Sequence, residues 1–273
     1  MATEEGRPRR LRRISRVLLC GCLAYLLLVL LGLPFSFPFD LALNLGSFPS
    51  RPDLRAPRDG RSRLVVLQHG LWRSSWSLWK LERSLEQHGY EVLNESYPST
   101  SGTIEQHADR LASALAARIA GHGAYDEISF VGHSLGGLVI AEYLRRRDAV
   151  RPKACVFLAS PLRGAVLAEL RSRWWPFALL MGDEAALQLR PGDPIHAKAL
   201  VLPATCGAIV GNLGAGNPAI PGDDDGTVAV SEARFGGESD SIELPLGHTR
   251  ITCDDRSIEQ VLAFLRYGRF ARR

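Results

Sequence analysis

Outside its first sixteen residues the 273-residue chain has no net charge. The formal excess of +4, from 33 Lys plus Arg against 29 Asp plus Glu, sits in residues 1–16, where Arg7, Arg9, Arg10, Arg12, Arg13 and Arg16 meet two glutamates. The other 27 bases and 27 acids cancel. A nucleic-acid partner needs a basic stripe on the folded surface to displace phosphate counterions, and a charged tail does not supply one, so no nucleic-acid partner is expected. Cysteine is scarce as well. Of five, Cys20 and Cys22 fall in an apolar run, and Cys155, Cys206 and Cys253 are scattered through the body with neither zinc nor thioredoxin spacing. Those three read as small buried residues, or as one disulfide pair and a remainder if the domain faces an oxidising compartment. No internal repeat and no heptad run occurs, which excludes a solenoid and a coiled coil. Neither a metal constellation nor a cofactor motif is present. Gly211–Asn217 is rich in glycine but lacks the Gly-Lys-Ser/Thr that grips phosphates, so it reads as a loop.

What is present begins with Val17–Leu33, seventeen residues without charge; the next charge is Asp40. Such a helix spans about 25 Å, and continuing through Phe35, Phe37 and Phe39 brings it to the about 30 Å of a bilayer core. The run exceeds the apolar core of a cleaved signal and no small-x-small site follows, so residues 17–39 read as an uncleaved transmembrane signal anchor, with a cleaved secretory signal as the alternative. Six arginines precede the span and none occurs between Pro34 and Ser50. Residues 1–16 are therefore expected to be a basic cytoplasmic tail, with the rest on the extracytoplasmic side. Five prolines between residues 34 and 57 make residues 40–60 a Pro-rich linker, and the folded domain is expected over 61–273.

In that domain short β-branched runs alternate with helical patterns. Leu64–Gln68, Tyr90–Ser96, Ile128–Val131, Cys155–Ala159, Cys206–Val210 and Ile242–Pro245 read as strands. Ser77–His88, Leu138–Arg147, Ser257–Arg266 and a stretch striped by Ile104, Ala108, Leu111, Leu115 and Ile119 read as helices. The alternation implies an α/β domain: a mostly parallel sheet with helices on both faces.

The run Ile128–Val139 takes a strand through Gly132-His133-Ser134-Leu135-Gly136-Gly137 into a helix. Gly-x-Ser-x-Gly at a strand-to-helix turn is a nucleophile elbow: the glycines allow the sharp bend, the hydroxyl of Ser134 is lifted clear, and the Leu135 amide lies at a helix N-terminus where an oxyanion is stabilised. A serine needs a histidine base and a carboxylate to orient it. His248 follows the last strand, whereas His88, His107 and His122 lie in or near surface helices, His133 would point away from the serine Oγ, and His196 sits in an insertion. Asp225 is the expected acid because it abuts Gly226 and Thr227-Val228, with Asp224 as the alternative. A run of three acids also fits a solvated loop or a weak calcium site. The glycine in Gln68-His69-Gly70-Leu71-Trp72 permits a close backbone approach, making the Leu71 amide the second oxyanion donor.

Taken in order, His69-Gly70, Gly132–Gly137, Ala159–Ala165, Asp225–Val228 and His248 resemble the α/β-hydrolase superfamily, in its bacterial lipase and esterase-like branch, over residues 64 to about 267. The Asp-Gly-Thr-Val segment is also similar to the glycosylphosphatidylinositol-deacylase-like group. The resemblance implies an α/β-hydrolase fold and cleavage of esters or thioesters through an acyl-serine intermediate, with no cofactor. Ser134 would be the nucleophile, His248 the acid/base, Asp225 its orienter, and the Leu71 and Leu135 amides the oxyanion hole.

Residues 162–200 exceed a simple crossover and hold Trp174, Trp175 and Phe177 in one apolar stretch. They read as a lid over an acyl chain, or as a helix packed on the sheet edge. With Trp72 these aromatics are the expected substrate contacts. A lipid or other apolar ester is the expected partner, alongside the membrane itself. An acyltransferase using the same residues, and a non-catalytic membrane-anchored binding protein, are the competing classes.

Overall fold

The computed structural model describes residues 51–172 and 184–272. Six strands, β1 (Arg63–Gln68), β2 (Glu91–Asn94), β3 (Glu127–His133), β4 (Ala154–Leu158), β5 (Cys206–Gly211) and β6 (Asp240–Leu244), form one sheet in the order β2-β1-β3-β4-β5-β6. Every neighbouring pair is parallel. The helices are α1 (Trp79–Gln87), α2 (Ile104–His122), α3 (Leu135–Leu144), α4 (Val166–Ser172), α5 (Glu184–Gln188), α6 (Val230–Ala233) and α7 (Asp255–Tyr267).

Successive side chains of a strand point to opposite faces, and both faces here are covered. Leu64, Val66, Phe130, Phe157, Ala208 and Val210 pack with residues of α2 and α3. Val65, Leu67, Val131, Val156, Leu158 and Ile209 pack on the other side with Leu81, Leu85, Val261, Leu262 and Phe264 of α1 and α7. This is why the inner strands carry unbroken apolar runs: β1 and β5 are buried along their whole length, while the edge strands β2 and β6 are only partly so. The expected stripe of α2 faces the sheet, with Ile104, Ala108, Leu111 and Leu115 buried. Its start is fixed by a capping box in which Thr103 and Gln106 exchange backbone-to-side-chain hydrogen bonds of 3.2 Å.

The chain runs from β1 out to β2, then returns past β1 to β3 and on to the other edge. Loops leaving the carboxyl ends of β1 and β3 thus diverge, and they open a crevice at this switch point. Leu71 and Ser134 stand on its two sides.

Three expectations change. The domain begins before residue 61: Leu54 is buried among α1 and α7 residues, the Ala56 amide donates to the His88 carbonyl, and Arg51 pairs with Glu259 at 3.2 Å. The second half of the Pro-rich segment is therefore docked. The helix after Ser134 starts at Leu135, three residues earlier than its glycines suggest. His88 and His107 are buried rather than on surface helices, and only His122 is exposed. Cys155, Cys206 and Cys253 are all buried free thiols, although Cys155 and Cys206 face each other in register across β4 and β5. The tail 1–16, the anchor 17–39 and the first part of the linker lie outside the described residues. So do Trp174, Trp175 and Phe177. Among the described residues no helix is long and apolar enough to cross a membrane.

Candidate active site

Ser134 is the first residue after β3, with φ 53° and ψ −124°. Positive φ in a residue with a Cβ costs about 1–3 kcal/mol and persists only when the surroundings enforce it. They do so here. The Ser134 amide donates to the Leu158 carbonyl at 3.0 Å, tying the turn to β4. Immediately after it, the backbone of α3 lies so close to β1 that a Cβ at Gly136 would run into the Gln68 carbonyl. Glycine at 136 serves this approach, although it is a poor helix former.

His248 follows β6 after a short loop. Its Nδ1 is 2.7 Å from Asp225 Oδ2 and its Nε2 3.0 Å from Ser134 Oγ. An ionised carboxylate only accepts, so Nδ1 carries the proton and Nε2 is left to accept from the serine hydroxyl. The His248 amide donates to the Asp225 carbonyl at 2.9 Å, so backbone and side chain bind the same acid residue. Asp225 is buried, and its Oδ1 accepts from the amides of Thr227 (2.9 Å) and Val228 (2.7 Å). Asp224, also buried, accepts instead from the amides of Asn217 and Gly226 and shapes the loop. Of the two carboxylates that the sequence left open, Asp225 is the one on the histidine.

Leu71 leaves β1 next to Gly70, where a Cβ would sit 2.9 Å from His133 Nδ1 and 3.1 Å from Ser134 Cβ. The close approach brings this loop beside the serine. Among the described residues the Leu71 and Leu135 amides have no acceptor, and Leu135 is the first residue of α3. They are suited to meet a developing oxyanion.

Two histidines outside the Ser134–His248–Asp225 chain hold it in place. His133 Nε2 donates to the His248 carbonyl at 2.9 Å, and its ring lies 4.8 Å from that of His248. His133 is thus bound to the backbone of the base. His69 Nδ1 donates to the Gly70 carbonyl at 2.9 Å, while its Nε2 accepts from the Tyr97 amide at 3.2 Å. The Tyr97 hydroxyl donates back to the His69 carbonyl at 2.7 Å, with the rings stacked at 4.2 Å. This clasp fixes the loop that carries Leu71. His107 packs against Tyr97 as well, with ring centroids 4.7 Å apart.

Burial disfavours the imidazolium in all three. It depresses His69 and His107 to about 4, and it holds His133 well below the usual range, with His248 adding to the effect there. A histidine whose folded pKa lies below its unfolded value binds more protons when unfolded at pH values between the two. Its contribution to stability is whole above about 6.5 and is lost as pH falls toward about 4. At pH 5 the loss is about 2 kcal/mol for each of His69 and His107. Thermal melts should show the midpoint falling from pH 7 to pH 5, and the fall should be smaller in His107→Gln. A flat profile over that range would contradict these assignments.

The cleft at Ser134 encloses about 170 Å³. Its wall is mostly apolar: Leu71, Pro161, Leu167, Ala168, Leu189 and Val228. Residues of α4 and α5 line it from either side of 173–183, so the described parts of the 162–200 insertion border the serine. The insertion is pinned to the acid loop by Glu232, whose carboxylate accepts from the Val166 amide at 2.6 Å and the Ala229 amide at 2.9 Å. Nothing in the sequence marked Glu232, because its partners are backbone groups and one lies 66 residues away. Trp72 does not line the cleft. The chain turns through positive φ at Trp72 (63°), where its amide is held by Ser99 Oγ at 3.0 Å, and it is Leu71 that faces Ser134. A larger cavity of about 670 Å³, between Glu95–Tyr97 and α2, does not include the serine. Among the described residues no group of three His, Cys, Asp or Glu is placed to hold a metal.

A hydroxyl on an imidazole, a carboxylate behind it and two free amides in front can together form a tetrahedral adduct at a carbonyl and break it down. Residues 64–261 match the family model of the alpha/beta hydrolase family. No curated protein matches the chain by sequence. Among solved structures it is similar to the mature lipase BlEst2 of Bacillus licheniformis (19% identity, 77% of this chain and 93% of that one, TM-score 0.56). It is also similar to the metagenomic carboxyl esterase MGS0156 (21%, 82% and 81%, TM-score 0.57) and to a Listeria innocua gene product (18%, 76% and 94%, TM-score 0.53). At these identities the likeness is one of fold.

Proposed function

Because the chain belongs to the alpha/beta hydrolase family, we propose that it is a membrane-anchored serine hydrolase that cleaves carboxylic esters through an acyl-serine intermediate. The observation that carries this reading is the continuous hydrogen-bonded line Ser134 Oγ–His248 Nε2, His248 Nδ1–Asp225 Oδ2 at the mouth of an apolar cleft. Ser134 Oγ attacks the ester carbonyl as His248 Nε2 takes its proton. The oxyanion forms against the Leu71 and Leu135 amides. Collapse of the adduct breaks the bond to the alcohol oxygen, which leaves with the proton from His248, and the acyl group stays on Ser134. Water then attacks in the same way, with His248 again the base, and releases the acid. Asp225 stabilises the imidazolium in both halves without taking its proton.

The apolar wall supports an uncharged acyl chain, and the anchor read at residues 17–39 would keep the domain close to lipid esters. Hydrolysis of a p-nitrophenyl ester series by the full chain tests the reading, with Ser134→Ala as control. Turnover that rises from acetyl to longer acyl groups supports an apolar ester as substrate. Equal turnover of acetyl and long-chain esters argues against it, and transfer of the acyl group to an added alcohol in preference to water would make the protein an acyltransferase. The anchor is tested separately: the full chain should stay in the membrane pellet after alkaline extraction, and release into the supernatant would remove that part of the proposal.

A further inference from the structure

Of the described side chains lining the cleft at Ser134, only His248 and Arg171 ionise. Arg171 lies in the last turn of α4, exposed, and has no hydrogen bond or ion pair among the described residues. Leu167 and Ala168, four and three residues before it, also line the cleft, and positions so spaced share one helix face. Arg171 therefore belongs to the same wall as the apolar contacts, one helical turn along from Leu167.

Among the described residues no carboxylate, Glu184 of α5 included, pairs with it. Asp225 is taken up by His248 and two amides, and Glu232 by the amides of Val166 and Ala229. Glu169, two residues before Arg171, falls on a different helix face. The lining of the cleft thus combines a nucleophile, apolar side chains and one guanidinium, whose planar fork fits a carboxylate or phosphate.

Resting on the esterase reading above, we infer that Arg171 makes the enzyme prefer esters bearing an anionic group, carboxylate or phosphate, separated from the scissile carbonyl by a short apolar spacer. The anion belongs either to the acyl part or to the alcohol part of the ester, and matched substrates separate the two. Mono-p-nitrophenyl glutarate against p-nitrophenyl butyrate puts the charge on the acyl side. An acyl glycerol phosphate against the same monoacylglycerol puts it on the alcohol side.

The readout is the ratio of kcat/KM for the anionic to the neutral member of each pair. Arg171→Gln should lower that ratio about tenfold in one pair, the usual order for a hydrogen bond to a charged group. Arg171→Glu should lower it further. The effect should shrink at high salt, because Arg171 is exposed. The responding pair identifies the side of the ester that carries the anion. An equal ratio in all three proteins for both pairs overturns the inference and leaves the esterase reading intact, provided the neutral esters are hydrolysed and Ser134→Ala abolishes it. A protein that hydrolyses no ester, and whose Ser134 takes neither a neutral nor a carboxylate-tipped fluorophosphonate, loses both. If only labelling is seen, the same comparison applies to the two labelling rates: slower labelling by the carboxylate-tipped probe in Arg171→Gln supports the inference, and no change refutes it.

Discussion

Ser134→Ala should lower kcat by at least about 10⁴-fold on any ester that the protein hydrolyses, with a far smaller effect on KM. The hydroxyl contributes almost nothing to holding the substrate; it forms the bond. What remains is the rate that the oxyanion amides and the cleft give to attack by water, and replacing His248 as well should cost little more, since the two act as one unit. Stability should not follow activity. Ser134 holds φ 53°, a strained conformation that alanine keeps and glycine relieves. Ser134→Gly should be more stable than Ser134→Ala by about 1 kcal/mol, while equally inactive. Urea titration of the two variants measures this. A glycine variant no more stable than the alanine one would mean that the elbow stores no strain.

Asp225→Asn is expected to be the second most damaging substitution, lowering kcat by about 10³–10⁴-fold. Asparagine fills the same volume and can still accept at Oδ1 from Thr227 and Val228, so the loop should survive. If its amide group faces His248, it donates where the carboxylate accepted; the imidazole then carries its proton on Nε2, and Ser134 has no base. Even in the correct tautomer, the imidazolium formed during attack loses its counter-charge. Asp224→Asn is the natural comparison, because among the described residues the Asp224 carboxylate accepts from the amides of Asn217 and Gly226 and not from His248. It should lower the melting temperature and leave most of kcat. Reversed effects for the two neighbours would show that the geometry has been assigned to the wrong acid.

The contrast between these neighbours shows where sequence reasoning stops. The elbow was legible because it is local: strand, glycine, serine, glycine and helix are consecutive, and each serves one bend. His248 was legible from chain order, as the histidine after the last strand. Choosing between Asp224 and Asp225 depends on which way a turn rotates two adjacent carboxylates, and that rotation is set by Asn217, Gly226 and Val228 together. The start of α3 was missed for a related reason. Glycine counts against a helix in propensity, yet at 136 the closeness of the Gln68 carbonyl demands it. The burial of His88 and His107 depends on the chain that covers them, which local sequence does not show. Leu54 and Arg51 resemble linker in the sequence because a three-residue turn has no period, and the partner of Arg51, Glu259, is 208 residues away. Arg171 was invisible for another reason: one arginine among many acquires meaning only when its helix face is seen to border the serine.

The most direct measurement is covalent labelling of the folded protein with a fluorophosphonate, followed by peptide mass mapping. One equivalent should attach, on the peptide containing Ser134. Labelling should vanish in Ser134→Ala and slow strongly in His248→Ala, and Ser134→Ala should retain the wild-type melting curve. A folded wild-type protein that takes no label at Ser134, or takes it equally well without His248, contradicts the assignment of this site to acyl transfer.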